Sequence, residues 1–561
     1  MVKKAALERL LIHAKKYNCE ISDALEFRID PVTGVGAYLK HKLHNSGTLI
    51  KISQDFILSK TEALRYFEIN SCSSSNPNAI TQLYLIALQS NQSAKWQPYL
   101  EILPSLDDIS SPLVWQPHEL EIIRGSDLYI KTKRKLASLL DEWYEVLTEL
   151  NLCSEKAKKY YELQDRDNIA VEKCYSIDSF AAYLWAHLIF SSRAFPSIIY
   201  DTSASLEEGF LLPIVDLLNH KSDTKVHWRS EGSFVTFSSE EVLEAYGELY
   251  NNYGDKSNEE FLLGYGFAID SNPHDATSIS LKLDERTLSE ASNYGIEINP
   301  NNVSGDSVRF DISLKDPLPV PLIKLFGFIS KLKSEKYITV RAVLEGLDQL
   351  HALLNQKIAI FKAKTKFESH HIRNESIIKN AKIYLTGQRR LFHSSQEELQ
   401  RKMKAIMKVY KPLSFKSIYK LDTEFSSSLS SCLHVSSYEE LVKKGLAQHA
   451  LLLWIVKDRN AKFYKSSNSP SFVSDTFNDV ERNITIEKDD VLEYIQFYQA
   501  FFPKLSQMFP KVYGVGSWSI KDFIIAGVVM DRIVWLRMAN NEFFLFEKQT
   551  FDFNRSYSQQ Q

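Results

Sequence analysis

Cysteine is scarce in this sequence, and its few cysteines are not spaced for metal binding. The 561 residues contain no CxxC pair and no histidines at zinc-finger distances from a cysteine. The odd number and wide separation of the cysteines predict free thiols in a reducing compartment and no structural zinc. The five cysteines are Cys19, Cys72, Cys153, Cys174 and Cys432.

Long apolar runs and an excess of charge of one sign are also missing. The run FIIAGVVM before Asp531 is far shorter than the roughly 20 residues that span a bilayer. The N-terminal MVKKAALERLLIHAKKYN has charges where a signal peptide needs an unbroken apolar core. The formal net charge of -3 gives no overall attraction to nucleic acid or anionic membranes. We expect a monomeric cytoplasmic protein, with the nucleus as a second location, and neither a membrane partner nor a strong nucleic-acid signal.

Common nucleotide-binding and hydrolase motifs are absent. There is no P-loop and no Gly-x-Ser-x-Gly elbow. Gly34-Val35-Gly36 and Gly514-Val515-Gly516 do not complete the six-residue dinucleotide fingerprint, and neither leads from a strand into a helix. Taken alone, each stretch is typical of a tight turn.

The periodicity of the chain changes several times, which predicts several folding units. Residues 1–77 begin with a helical pattern and continue as short strands between Gly and Pro turns, whereas residues 78–179 are helical. Strand patterns return within residues 180–282, after the apolar helix FAAYLWAHLIFSSRAF, and residues 283–561 are largely helical. We therefore expect an α+β protein whose β-rich domain is split by a helical insertion and followed by a mainly helical domain.

His220 ends the apolar run LLPIVDLLNH and could be a metal ligand, a general base, or a residue that acts through its backbone. No histidine or carboxylate follows His220 at i+4 to form a helical metal pair, and its nearest possible co-ligands, Asp216, Asp223 and His227, lie in a stretch with the pattern of strand and turn. The adjacent His370 and His371 cannot both face one ion from a helix. No metal site is predicted.

A basic helix is predicted from Ser395 to Lys411, with Ser395 and Glu398 as a capping box at its start. The segment RKMKAIMKVYK combines basic and apolar residues, a pattern typical of an amphipathic helix with a solvated face. It also suits a surface that contacts RNA or an acidic protein. Both interpretations stay open.

Four short motifs occur in a fixed order: GVGAY at 34–38, SRAF at 192–195, DLLNH at 216–220 and YGDKSNEEFLLGYGF at 253–267. Together they resemble the SET-domain protein-lysine methyltransferases, of the class that includes the Rubisco and ribosomal-protein enzymes. SPLVW and LLPIVDLLNH look most similar to the fungal ribosomal branch. The resemblance covers nearly the whole chain and implies a SET fold split by a helical insertion, with a helical substrate-binding domain behind it. The zinc-binding cysteines of the histone-modifying branch are absent.

The resemblance implies S-adenosyl-L-methionine as the methyl donor. The glycines of the first motif would bring backbone close to its methionine end, the arginine would pair with its carboxylate, and the last phenylalanine would pack near its adenine. The Asn-His pair would hold the donor chiefly through backbone groups. The residues implied for donor binding are Gly34, Val35, Gly36, Arg193, Asn219, His220, Tyr253 and Phe267.

The resemblance also implies catalytic roles. A free lysine has a pKa of about 10.4, so the site must favour the neutral amine that attacks the methyl carbon. Tyr253 would orient the amine through its hydroxyl, and the backbone carbonyls of Ser192 and Asp216 would align the amine and stabilise its growing positive charge. Tyr265 would wall the channel between substrate and donor. Phe195 would lie on the substrate side, where its apolar ring suits a lysine chain better than a histidine.

The expected substrate is a ribosomal protein of the large subunit, again by resemblance. Cytochrome c and a histidine of actin are alternative substrates among non-histone proteins. A non-catalytic SET-like module that only binds peptide is a further alternative. Such a module would be expected to lose the tyrosine hydroxyl or the Asn-His pair, yet Tyr253, Asn219 and His220 are all present.

Overall fold

The computed structural model describes residues 2–30, 33–44, 47–91, 93–169, 171, 176–364, 374–464 and 470–554. Cys174, His370 and His371 lie outside these residues. The chain divides into two compact units. The first unit is Met1–Thr277 with Ile360–Arg390, and the second is Ser278–Ala359 with Leu391–Gln561.

The first unit combines small antiparallel sheets with a helical insertion. Its strands are β1 (Glu20–Ile21), β2 (Leu25–Asp30), β3 (Gly34–Leu39), β4 (Thr48–Ser53), β5 (Ala194–Pro196), β6 (Gly209–Leu211), β7 (Val226–Glu231), β8 (Phe234–Ser239) and β9 (Glu248–Leu249). Its helices are α1 (Val2–Lys16), α2 (Lys60–Tyr66), α3 (Ala79–Ser90), α4 (Gln97–Leu100), α5 (Pro117–Leu120), α6 (Asp127–Glu149), α7 (Glu155–Leu163), α8 (Phe180–Arg193) and α9 (Asn258–Tyr265).

Three sheets shape the first unit, with strand orders β1-β4-β8-β7, β2-β3-β9 and β5-β6. The short strands predicted within residues 1–77 form as β1, β2, β3 and β4. Strand β3 lies between β2 and β9, with Gly36 opposite Arg28 and Tyr38 opposite Glu248. This register brings the first glycine motif beside a segment that lies more than 200 positions later in the sequence.

The helical insertion packs its apolar faces against α8. In α3, every residue from Ala79 to Leu88 is buried, and α3 packs against α8. Helix α8 begins after Ser179, whose hydroxyl accepts the Ala182 N–H, as an N-cap does. It ends at Arg193, two residues before the end of the predicted helical run, because a helix cannot continue into Pro196, which lacks an N–H and constrains the residue before it.

The second unit is mainly helical, with two small sheets. Its strands are β10 (Ala276–Lys282), which starts at the end of the first unit, β11 (Val303–Ser304), β12 (Ser307–Ser313), β13 (Leu413–Ser414), β14 (Val534–Arg537) and β15 (Glu542–Leu545). Their orders are β10-β12-β11 and β13-β15-β14. Its helices are α10 (Glu285–Asn293), α11 (Val320–Ile329), α12 (Val340–Lys364), α13 (Glu375–Tyr410), α14 (Phe415–Leu421), α15 (Thr423–Leu433), α16 (Tyr438–Lys443), α17 (Ala447–Arg459), α18 (Ser471–Asn483), α19 (Lys488–Met508), α20 (Pro510–Tyr513) and α21 (Ile520–Ile533), and parts of α12 and α13 belong to the first unit.

The predicted capping box at Ser395 is wrong. Helix α13 starts at Glu375, so Ser395 lies in its interior, where its hydroxyl donates to the Leu391 carbonyl at 3.1 Å. A serine within a helix commonly bonds the carbonyl four residues back, and the same residue type therefore does not mark a helix start by itself.

Among the described residues, no helix combines the length and apolar character needed to cross a membrane.

Candidate active site

The glycine motif forms one wall of the candidate site. Gly34 has a φ of +83°, a conformation that glycine adopts without steric cost, and a Cβ at this position would meet no atom within 4 Å. At Gly36 a Cβ would lie 2.6 Å from Glu248 Oε1 and 3.4 Å from the amide nitrogen of Asn219. Gly36 therefore allows β3 to approach the Asn219 and Glu248 side chains closely.

The Asn-His pair runs beside the segment that leads to Tyr253. The Asn219 carbonyl accepts the Asn251 N–H at 2.7 Å, and the Lys221 N–H donates to the Asn251 carbonyl at 3.0 Å. His220 Nδ1 accepts the Tyr253 N–H at 3.0 Å. Burial, together with the charges of His274 and Lys256, lowers the pKa of His220, so its ring is neutral and fixes the backbone at Tyr253.

Tyr253 lies at the centre of the site. Its hydroxyl donates to the Leu218 carbonyl at 2.7 Å, and its ring stacks on Tyr265 at 5.0 Å and on His220 at 5.1 Å between ring centres. Burial raises the pKa of Tyr253 well above its usual value, while the positive charge of Arg193 lowers it. The hydroxyl is therefore protonated at neutral pH and can act as a hydrogen-bond donor.

Arg193 and Asp216 form an ion pair in which the Asp216 side chain is buried and the Arg193 side chain is partly exposed. Arg193 Nη1 donates to the Asp216 carbonyl at 2.9 Å and lies 3.3 Å from its carboxylate, whose Oδ2 also accepts the Tyr99 hydroxyl at 2.8 Å. Burial raises the pKa of Asp216, and Arg193 and Tyr99 lower it. The Asp216 carbonyl assigned to the amine by resemblance thus already has one donor, and a carbonyl oxygen can accept a second.

Ser192 is the second-last residue of α8. Its side-chain hydroxyl donates back to the Leu188 carbonyl at 2.7 Å, so the hydroxyl is engaged within the helix. The carbonyls in the last turn of a helix lack intrahelical donors, and the residue four positions on is Pro196, which has no N–H. The Ser192 carbonyl is therefore well suited to accept a hydrogen bond from a ligand.

The predicted aromatic residues lie in two groups. Tyr265 and Phe267 flank Gly266, which ends α9 with a φ of +79°, and Phe267 stacks on Phe261 at 5.0 Å. Phe195, on β5, is buried and meets Trp228 edge-on at 5.4 Å. The second group is apolar, as a pocket for a lysine chain requires.

The sequence did not point to Glu248, Tyr99 or the Leu218 carbonyl. Glu248 accepts the Asn219 amide N–H at 2.7 Å and, with Asp216, contributes to the raised pKa of Tyr253, after burial. The feature of the sequence that could have pointed to Glu248 is its position five residues before Tyr253. Tyr99 lies 117 positions from Asp216, and no local pattern relates the two.

A separate acidic cluster joins Asp223, Asp255 and His274, whose ligand atoms lie within 4.8 Å of one another. His274 Nε2 is 3.6 Å from Asp223 and 3.4 Å from Asp255, and both carboxylates are exposed. Asp223, considered from the sequence as a co-ligand of His220, thus pairs with His274 instead. Contacts between one histidine and two exposed carboxylates account for this cluster.

The site suits a zwitterionic sulfonium donor of the kind expected from the sequence. Gly34 leaves open space beside β3, and Arg193 provides a cation at the end of α8. The Asn219 amide and the Glu248 carboxylate provide polar groups next to Gly36. These groups complement the carboxylate and the ammonium of an amino-acid end.

Comparisons with known proteins agree with this architecture. A family model described as the EFM1 middle domain matches residues 276–410. Protein-lysine N-methyltransferase EFM1 of Saccharomyces cerevisiae is 35% identical over 98% of this chain and 100% of its own length. Ribosomal lysine N-methyltransferase 1 of the same yeast is 25% identical, covering 89% of this chain and 93% of its own. A solved structure of Rubisco LSMT bound to AdoMet, 17% identical, covers 72% of this chain and 93% of its own with a TM-score of 0.53. The likeness confirms the SET fold and the α+β class.

Proposed function

The chain belongs to the SET-domain protein-lysine N-methyltransferases, and from this membership we propose that it methylates a lysine of a ribosomal protein of the large subunit. We propose S-adenosyl-L-methionine as the donor, because a solved structure of the same fold binds it and the site described above complements it. The observation that carries the proposal is the meeting of the DLLNH and YGDKSNEEFLLGYGF motifs at Tyr253, whose N–H donates to His220, whose hydroxyl donates to the Leu218 carbonyl and whose ring stacks on Tyr265.

The bound donor supplies a methyl carbon activated by a positive sulfur. An incoming lysine must be neutral to attack it, and the positive sulfur beside it, together with displacement of water by the stacked rings of Tyr253 and Tyr265, disfavours the charged ammonium. Tyr253 keeps its proton and donates to the Leu218 carbonyl, which leaves a lone pair of its oxygen to accept an N–H of the amine. This fixes the direction of the nitrogen lone pair.

Two backbone carbonyls support the amine as it becomes positive. The Ser192 carbonyl lies at the end of α8, and the Asp216 carbonyl is held by the Arg193 guanidinium at 2.9 Å. Fixed carbonyl dipoles directed at a growing positive charge lower the barrier without reorganisation during the reaction. No dedicated general base is needed, since the amine enters neutral and its extra proton leaves to solvent afterwards.

Lysine suits the acceptor side better than histidine. Phe195 is buried, and its ring meets the Trp228 ring edge-on at 5.4 Å. A histidine acceptor would need a polar partner for its second ring nitrogen, and Phe195 offers none. The relatives are also named as lysine enzymes.

The substrate protein is the finer part of the proposal. Ribosomal proteins are favoured because relatives in two yeasts are named ribosomal lysine methyltransferases. The name of the 35% identical relative gives protein-lysine methylation and no particular substrate. Another non-histone protein such as cytochrome c is the second candidate, by the resemblance of the sequence. The actin histidine and the peptide-binding module have no such support.

The test is methylation of a lysate from cells that lack this enzyme, with labelled S-adenosyl-L-methionine and the full chain. A labelled large-subunit ribosomal protein, absent when the Tyr253→Phe variant replaces the wild type, is the expected result. A label on cytochrome c or another non-ribosomal protein would overturn the ribosomal assignment while leaving the enzyme class intact.

We further propose that the enzyme works in the cytoplasm, with access to the nucleus, and as a monomer. The described cysteines, Cys19, Cys72, Cys153 and Cys432, are free thiols, which agrees with a reducing compartment. Light scattering of the purified chain and imaging of a tagged copy test the two statements separately.

A further inference from the structure

Strand β9 places Glu248 at the amino-acid end of the proposed donor site. In the pairing of β3 with β9, Glu248 is opposite Tyr38, and Tyr38 lies two residues after Gly36. Its Oε1 accepts the Asn219 amide N–H at 2.7 Å and would lie 2.6 Å from a Cβ at Gly36. The carboxylate is therefore in contact with both motifs that the family resemblance assigns to the donor.

The charge of Glu248 is not balanced by a neighbouring cation. None of the ion pairs between residues that the structure describes includes it. Its hydrogen-bond donors are the neutral Asn219 amide and the Tyr250 hydroxyl, whose pKa is raised to about 12 by burial and by this bond. A half-buried carboxylate held only by neutral groups gains most from a cationic ligand.

The Asn219 amide is oriented by this contact. A carboxylate only accepts hydrogen bonds, so the nitrogen of the amide, and not its oxygen, must face Glu248. The amide oxygen of Asn219 is then directed to another side as an acceptor. Both side chains thus present oxygen atoms, which suit an ammonium group and repel a carboxylate.

We propose that Glu248 recognises the α-ammonium group of the methyl donor and holds Asn219 in the orientation that assists it. The proposal rests on the proposed function, since it concerns the same donor site. Arg193 would take the donor's carboxylate and Glu248 its ammonium, so that the two ends of the zwitterion meet opposite charges. Glu248 is a binding residue and takes no part in the transfer itself.

A purely structural role for Glu248 leads to a different expectation. Glutamine has the same shape, and its amide oxygen can still accept the Asn219 N–H. If Glu248 only held Asn219, Glu248→Gln would change the binding of every adenosine ligand little, and equally. If its charge recognises an ammonium, the substitution weakens only ligands that carry one.

The experiment measures dissociation constants by titration calorimetry on the full chain, with two ligands. S-adenosylhomocysteine carries the α-ammonium, whereas 5′-methylthioadenosine lacks the whole amino-acid end. For Glu248→Gln, the Kd of S-adenosylhomocysteine is expected to rise about tenfold, as for loss of one charge-assisted hydrogen bond, with the Kd of methylthioadenosine unchanged within about twofold.

Two variants complete the design. Glu244→Gln is the matched control, because Glu244 is close in sequence but pairs with Lys42 at 2.7 Å on the surface, and it should leave both constants unchanged. Glu248→Asp keeps the charge, and its Kd for S-adenosylhomocysteine should lie closer to wild type than that of the glutamine variant. If thermal unfolding shows that Glu248→Gln does not fold, Glu248→Asp takes its place in the comparison of the two ligands.

Three results would overturn the inference. Unchanged binding of S-adenosylhomocysteine by Glu248→Gln excludes recognition by charge. Equal weakening of both ligands assigns Glu248 a structural role only. Failure of the wild-type chain to bind S-adenosylhomocysteine at all would instead remove the proposed function, and the inference with it.

Discussion

At the residue scale, Tyr253 is the group on which the proposed chemistry depends. Its ring stacks on the rings of His220 and Tyr265, so Tyr253→Phe removes the hydroxyl and keeps the stack. We expect kcat to fall about 10² to 10³-fold, because an oriented hydrogen bond to the amine is lost. The Kd of S-adenosylhomocysteine should change less than about threefold, since the aromatic packing remains.

Single-turnover assays with labelled donor and calorimetry measure the two quantities. Wild-type turnover by a folded, donor-binding Tyr253→Phe protein would show that the hydroxyl has no role, and the amine would then be oriented by the carbonyls alone.

Tyr99 links the insertion to the catalytic network. Its hydroxyl donates to the Asp216 carboxylate at 2.8 Å and lowers the pKa of this group, whose burial raises it. Tyr99→Phe removes the donor, so the pKa of Asp216 rises further and the carboxyl is protonated over a wider acidic range. The ion pair with Arg193 then weakens. We expect kcat/KM to fall most at low pH and to approach wild type as the pH rises.

The pH profile of kcat/KM measures this effect, and Tyr183→Phe is its control. Tyr183 is also a buried tyrosine of the first unit that bonds a carboxylate, Glu142, outside the Tyr253 network. We expect Tyr183→Phe to lower the free energy of unfolding by a similar amount and to leave the pH profile of kcat/KM unshifted. If both variants shift the profile alike, the cause is general destabilisation and not the state of Asp216.

The sequence predicts local parts of the site better than distant ones. Asn219, His220 and Tyr253 belong to short sequence motifs. Recognising a motif also identifies the residues next to them in the sequence. Tyr99 and Glu248 reach the site through tertiary contacts, over 117 and 29 positions from their partners. Such contacts depend on the whole fold and leave no periodic pattern in the sequence.

At the element scale, strands bounded by glycine and proline turns were predictable, whereas helix ends were less so. The hydroxyl of Ser395 bonds the turn before it, because the upstream chain is helical as well. Local chemistry at one serine cannot distinguish a cap from an interior position when the flanking residues all favour helix. The length of α13 is set by packing, which the sequence reveals only indirectly.

The end of α9 offers a test of an element boundary. Gly266 has a φ of +79°, and a Cβ there would lie 3.0 Å from the Ser111 backbone nitrogen and 3.1 Å from Ser110 backbone atoms. Gly266→Ala therefore combines conformational strain with a clash against the insertion. We expect a loss of about 2 to 3 kcal/mol in the free energy of unfolding, with weaker donor binding because Tyr265 and Phe267 move with it.

Gly232→Ala separates these two causes. Gly232 has a φ of +62° in the turn between β7 and β8, and a Cβ there would meet nothing within 4 Å. Only the conformational cost of about 1 kcal/mol is expected, with unchanged donor binding. If chemical denaturation shows the same loss in the free energy of unfolding for both variants, the backbone of residues 110 and 111 moves away from the added Cβ at no cost.

At the scale of the whole molecule, the site belongs to one of two compact units. All residues assigned to the donor and the amine lie within Met1–Thr277, and the first unit has its own hydrophobic core. The second unit contains a separate core of helices from Phe415 to Ile533 with strand β15. A ligand bound at the site therefore stabilises the first core directly, by mass action on its folded state.

Hydrogen exchange in the presence of S-adenosylhomocysteine tests this division. At a ligand concentration of 100 times Kd, the first unit gains about 2.7 kcal/mol, which slows exchange through its opening about hundredfold. Peptides from residues 25–39, 189–220 and 248–267 should show this protection, whereas peptides from 415–533 should exchange as in the free protein. Equal protection of both sets would mean that the two cores open together as one cooperative body, because a ligand can slow exchange only in segments that unfold when its own site does.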